Sequence, residues 1–166
     1  MRKFVLALVV MTGMFCVANA QVDKKAIGVR GGGGSYELSY QHPLSDATRL
    51  ELDLGYSWFT GVTTYSYGTY PYTTSITGIT GVYQWVKDWS SITSGLNWYY
   101  GVGAGLGFGA GFGVGVVGQL GAEYTFAQFP IQVSLDYRPG VYLITGAPSK
   151  INLGLAGYAF GVRYKF

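Results

Sequence analysis

The chain holds one cysteine and one histidine in 166 residues, and only 11% of its residues are charged. Those shortages remove most of the ways a protein of this size does chemistry. The lone cysteine, Cys16, lies in the N-terminal apolar stretch, so no disulfide framework supports the rest of the chain. It is no lipoprotein acceptor either, because Phe15 stands where a small residue is needed. With His42 as the only imidazole, the spaced His/Cys sets of a metal centre are missing. Lysine and arginine form no stripe or cluster, which argues against a nucleic-acid partner. No helical periodicity recurs. The 27 glycines make helix a poor use of this composition, since each costs roughly 0.8 to 1 kcal/mol relative to alanine in a helix interior.

What is present begins with an export signal. Arg2 and Lys3 precede an apolar stretch, residues 4–17, that is too short to span a bilayer comfortably, and Ala18-Asn19-Ala20 supplies the small residues of a cleavage site. Residues 1–20 read as a signal peptide and 21–166 as one domain. Removing Arg2 and Lys3 reduces 11 basic residues to 9 against 8 acidic ones, a net charge of about +1.

Within that domain a two-residue beat recurs. Ile27 and Val29 alternate with Gly28 and Arg30; Tyr36, Leu38 and Tyr40 alternate with Glu37, Ser39 and Gln41. Leu50, Leu52, Leu54, Tyr56 and Trp58 alternate with Arg49, Glu51, Asp53, Gly55 and Ser57. Further beats run through 79–85, 96–107, 114–126, 131–138 and 158–166. Turns are expected at the glycine run 31–34, at 43–46, 87–88, 109–111 and 127–130, with a Tyr/Thr/Gly loop at 61–74 and a last loop at 145–150. Pro139-Gly140 is expected to bend or end its strand. The count is eight antiparallel strands, the first of them, 27–30, the shortest.

The charges follow the register. Arg30, Arg49, Arg138, Arg163 and Lys165 share the polar face with Glu37, Glu51, Asp53, Glu123 and Asp136, five cations for five anions, and a one-residue slip would invert the partition. A soluble sandwich or lipocalin-like barrel puts its apolar face inside and its charges outside. The glycines at 101, 103, 105, 107, 113, 115 and 121 contradict that arrangement, because they share the polar face and solvent does not require glycine. A narrow eight-stranded lumen does use small residues to make room for arginine and tyrosine. The sequence therefore predicts an up-and-down transmembrane β-barrel with ion pairs inside and lipid outside.

The signal peptide, the alternating strands and the terminal beat Tyr158, Phe160, Val162, Tyr164 and Phe166 resemble the small eight-stranded outer-membrane barrels of Gram-negative bacteria, of the OmpX and OmpA transmembrane-domain type. The resemblance covers essentially all of 21–166, and 49–55, Tyr83-Gln84-Trp85 and 136–139 look like recurring segments of such barrels. It implies residence in the outer membrane as a monomer, with lipid and lipopolysaccharide as surroundings. It also implies that the terminal aromatic beat is read by the outer-membrane assembly machinery.

No catalytic or cofactor motif survives inspection. Gly113-Val114-Gly115-Val116-Val117-Gly118 matches a dinucleotide fingerprint, but the strand beat runs straight through it and no helix follows. Small barrel enzymes that modify lipid A work with histidine and serine near the outer leaflet; His42, beside Pro43 and Ser45, falls in an expected periplasmic turn. The expectation is a non-enzymatic envelope protein with a charge-paired lumen and a structural or surface-contact role, with Tyr65, Tyr67, Tyr70 and Tyr72 as the candidate contact loop. The alternative is a narrow porin-like passive channel.

Overall fold

The computed structural model describes residues 22–65, 67–109, 111–145, 150–154 and 157–166. The expected signal peptide, 1–20, lies outside the described residues. Ten β-segments follow one another: β1 (Ala26–Gly32), β2 (Ser35–Ser45), β3 (Thr48–Tyr65), β4 (Gly68–Asp88), β5 (Leu96–Gly109), β6 (Phe112–Thr125), β7 (Ile131–Tyr137), β8 (Gly140–Thr145), β9 (Lys150–Gly154) and β10 (Tyr158–Lys165). Neighbours pair antiparallel from β1 through β6; β7 and β8 both continue along β6, and β10 returns to pair with β1. The sheet closes on itself as an eight-stranded barrel, the seventh stave being β7 with β8 and the eighth β9 with β10. Closure pairs β1 to β7 and β10 on both sides around the ring, while β9 pairs among the described residues with β8 alone.

Each stave forms for the reason its beat suggests. Leu52, Leu54, Leu135 and Val116 face outward and are exposed, while Glu51, Asp53 and Arg163 face inward at 0%, 1% and 1% exposure. The core of this barrel is polar and its surface is oily. Gly33 and Gly34 make the β1–β2 turn at φ of 53° and 79°, a region that glycine enters without steric cost. The expected first strand is there and longer than its beat, running from Ala26 to Gly32.

Three features depart from the sequence reading. The expected loop at 61–74 is no loop: β3 and β4 pair without interruption as far as Tyr65 opposite Gly68. Threonine, tyrosine and valine favour extended backbone, and the tyrosine-glycine composition that reads as a loop is also that of a ribbon. Past Trp58 and Ile76 this ribbon has no other partner strand among the described residues, and Pro71 falls in that edge portion. Second, the eighth stave begins at Lys150, before any beat is evident.

The third departure is an insertion. Two residues separate Tyr137 from Gly140, whereas three separate their partners Gly154 and Tyr158. This bulge shifts the alternation between Gly154, which lines the lumen, and Tyr158, which has the same parity and faces out. At the bulge the Gly157 carbonyl accepts from the Arg138 amide at 2.7 Å, and a Cβ on Gly157 would meet the Arg138 carbonyl oxygen at 1.9 Å. Only glycine fits that approach.

Aromatic rings mark both ends of the outer surface. At the end bearing Val22 and Phe166, the near end, Trp85 stacks on Tyr100 at 5.3 Å and Tyr124 meets Phe126 at 4.9 Å. At the far end Tyr36 lies 5.3 Å from Trp58, and Phe108 lies 5.2 Å from Phe112. Between Tyr100 and Phe108 the strand runs roughly 26 Å at about 3.3 Å per residue, with Val102 and Leu106 exposed along it.

Candidate functional site: the barrel interior

The interior is built in three layers. At the near end Val86 and Tyr99, both fully buried, pack together with Val22 from the segment before β1, and the Val22 amide donates to the Asp46 carbonyl at 2.8 Å. A small apolar cluster thus sits at that mouth.

Above it lies a belt of ion pairs. Arg30 donates to Glu37 at 2.8 Å and forms a two-nitrogen contact with Asp136, on the far side of the sequence. Arg138 reaches Glu37 at 3.1 Å, Glu51 at 2.7 Å and Asp53. Arg163 donates to Glu51 at 3.0 Å and to the hydroxyls of Ser39 and Ser134. Arg49 clasps Glu123 with both terminal nitrogens, at 2.9 and 2.6 Å, and its guanidinium lies 4.9 Å over the Tyr99 ring. The planar fork of arginine suits this work, since one side chain can hold two or three acceptors at fixed angles.

Glu51 is the hub. Its two oxygens accept from Arg138, Arg163, Gln41 and Gln119. An amide chain ties it to the Arg49 pair: Arg49 donates to Gln84 at 2.6 Å, Gln84 to Gln119 at 2.8 Å, and Gln119 to Glu51 at 3.2 Å. These glutamines stand on the polar register of the sequence, but nothing in one dimension distinguishes a glutamine that bridges two ion pairs from one that faces water. Tyr99 adds a bond from its hydroxyl to Asp136 at 3.2 Å.

Of the ten charged residues the beat assigns to the lumen, nine enter the belt. Lys165 does not: it is half-buried at the near rim, the last residue of β10, where its flexible stem keeps the ammonium hydrated. The buried set is therefore four arginines against five carboxylates, not five against five. Lys87, expected in a turn, is the penultimate residue of β4, opposite Trp98 at the near rim. His42 meets the Tyr40 hydroxyl at 3.2 Å, near the β2–β3 turn and outside the belt.

The third layer is a vestibule of about 360 Å³ at the far end, floored by Arg30, Glu37, Asp53 and Arg138 and walled largely by glycine backbone. Glycine is where the lumen needs space for rings. A Cβ on Gly115, Gly140 or Gly154 would meet the Tyr142 ring at 2.4 to 3.0 Å, and one on Gly121 would meet Tyr99 at 2.5 Å and Asp136 Cβ at 2.7 Å. Gly121→Val is accordingly expected to cost about 1 to 3 kcal/mol through overpacking and to displace Tyr99 from Asp136. Urea unfolding together with the near-ultraviolet dichroism of the tyrosines measures both; unchanged values would mean that the ring does not lie there.

The terminal residues Tyr158, Phe160, Val162, Tyr164 and Phe166 all face outward, between 37% and 61% exposed. Of the four tyrosines proposed for surface contact, Tyr67 and Tyr70 lie at the ribbon tip with rings 6.0 Å apart; the side chains of Tyr65 and Tyr72 lie outside those described.

Fold and interior together define a closed antiparallel β-barrel of eight staves, oily outside and ion-paired within. No protein-family model, curated protein or solved structure matches the chain.

Proposed function

We propose that the chain is an integral outer-membrane β-barrel whose filled interior does not conduct, and that it serves a structural or surface-contact role in the envelope without catalysing a reaction. The observation that carries this reading is the inverted distribution of polarity. Val29, Val116 and Leu135 stand outward at 61%, 65% and 65% exposure, between two aromatic girdles, while the nine belt charges face inward. In water that arrangement leaves a continuous apolar wall exposed, far beyond the patches soluble monomers tolerate. In a bilayer it satisfies both solvents, and the spacing of the girdles approaches the apolar band of about 25 Å expected of such barrels.

Under this reading the surroundings are outer-membrane lipid and lipopolysaccharide, the terminal aromatic strand is the segment handed to the assembly machinery, and the protein is a monomer. The β3–β4 ribbon favours surface contact, because roughly 23 Å of it, at about 3.3 Å per residue, extends beyond its neighbouring strands. The near-end apolar cluster and the belt favour a barrier over the alternative of a passive channel. Refolded protein in planar bilayers is expected to give no stable single-channel steps, and to migrate differently on gels before and after boiling. Reproducible unitary conductance would establish the channel; migration unaffected by heat would remove the membrane barrel.

A further inference from the structure

The outward face of the wall carries a single formal charge among the described side chains of the strands. Lys87 is that residue: Val86 beside it is fully buried on the inward register, and Lys87 stands opposite Trp98 on the outward one. It sits at the edge of a continuous run of four aromatic rings in the near girdle. Tyr83 meets Trp85 edge-on at 4.8 Å, Trp85 stacks on Tyr100 at 5.3 Å, and Tyr100 lies 5.6 Å from Trp98. A lysine ammonium has three donors, so a phosphate oxygen can join whatever it already holds. The adjacent carboxylate does not oppose this, since Asp88 is turned to Ser90 and accepts from its amide at 2.9 Å and its hydroxyl at 2.6 Å.

The same two strands carry a recess at the depth of an acyl chain. Gly81 and Ala104 stand in register on β4 and β5, both on the outward side, with the exposed side chains of Ile79, Tyr83, Val102 and Leu106 before and after them. Two positions no larger than a methyl group between four larger ones leave a furrow in the wall. The space over Gly81 is open, for a Cβ there meets only Leu52, at 3.4 Å. From Lys87 to Gly81 the strand runs about 20 Å at roughly 3.3 Å per residue, which is about 15 Å of depth at the tilt of roughly 35 to 45° usual for such barrels. Half of a hydrocarbon core of about 30 Å is the same distance. Charge, interfacial rings and furrow are spaced as the parts of one lipid in one leaflet.

We propose that the β4–β5 wall seats one anionic phospholipid of the near-end leaflet, its phosphate on Lys87, its glycerol against Trp85, Trp98 and Tyr100, and an acyl chain over Gly81 and Ala104. The proposal rests on the membrane reading above, and the seat is continuous with the near girdle. The lone cation selects a headgroup of net negative charge, because a zwitterionic headgroup brings its own cation to the same place. Protein refolded in micelles doped with equal amounts of phosphatidylglycerol and phosphatidylcholine of the same acyl chains is transferred intact into a mass spectrometer. It is expected to retain one phosphatidylglycerol with about a threefold to fivefold preference, the factor that one interfacial lysine supplies.

Lys87→Gln is expected to abolish the preference, whereas Lys165→Gln, at the same rim but on the inward register, keeps it. Gly81→Leu fills the furrow and is expected to lower retention of both lipids by at least about threefold. Excess glycerol phosphate is expected to displace nothing, which separates the lipid from its free headgroup. The proposal is overturned if the parent retains both lipids equally, if Lys87→Gln keeps the preference or Lys165→Gln loses it, if Gly81→Leu retains lipid as the parent does, or if glycerol phosphate empties the seat. Lys87→Gln decides should Gly81→Leu fail to refold. A barrel that shifts on gels with heat yet shows no lipid preference overturns this inference alone; the absence of any heat shift removes the membrane reading beneath it.

Discussion

Replacing Glu51 by alanine is expected to lower the unfolding free energy by about 3 to 5 kcal/mol, the largest effect of any single interior substitution. The reason lies in what the carboxylate leaves behind. Arg163 is 1% exposed and has Glu51 as its only anionic partner among the described residues; Arg138 loses one of three, and Gln41 and Gln119 each lose an acceptor. Removing one member of a buried ionic cluster strands the charge of the others, which is costlier than never having built the cluster. Urea unfolding of the protein refolded in phospholipid vesicles reads the loss. Glu51→Gln separates charge from shape: it keeps an acceptor for the amide chain and removes the charge facing Arg163. Its cost should fall between those of the parent and the alanine variant. A drop of under about 1 kcal/mol for alanine would mean that Arg163 finds its compensation elsewhere.

Val116→Arg probes the other face of the same wall. Val116 stands on β6 between Phe112 and Tyr124, outward and 65% exposed. If hydrocarbon surrounds it, an arginine there costs roughly 2 to 4 kcal/mol near the bilayer midplane and less toward either girdle. If water surrounds it, a surface substitution of this kind stays within about 0.5 kcal/mol in either direction. The two cases differ by more than the error of a denaturant titration, and the same variant in detergent and in vesicles gives an internal comparison. An unchanged midpoint in vesicles would falsify the membrane assignment directly, whatever the barrel's shape.

These two substitutions sit on opposite sides of one strand wall, and the distinction between the sides is what the sequence states most clearly. A side chain's face follows from its parity within a strand, so Leu50, Leu52 and Leu54 against Arg49, Glu51 and Asp53 fix which residues share a side. Parity is local and needs no partner. The same rule places the outward aromatic row at 158–166 and the inward glycines at 101–107.

Parity fails where the chain breaks step. The bulge between Gly154 and Tyr158 re-phases the last stave, and its cause, the close approach of Gly157 to the Arg138 carbonyl, joins residues that only closure brings together. The ribbon at 59–75 was opaque for another reason: tyrosine, threonine and glycine serve turns and strands alike, and its length depends on pairing, which composition does not encode. Lys165 shares the parity of Arg163 yet stays out of the belt, because depth along the barrel axis decides burial and the two-residue beat carries no depth.

Strand formation, the number of staves that close the barrel, and the set of residues on the charged side were all legible in one dimension. Closure of the ring added that Arg30 meets Asp136 across 106 positions, that Glu51 gathers two arginines and two glutamines, and that the far third of the lumen opens as a vestibule. Alternation selects a side of the wall through local geometry. Which inward side chains share a level is set by the register of every strand pair around the closed ring, a quantity that belongs to the ring and to no segment of it.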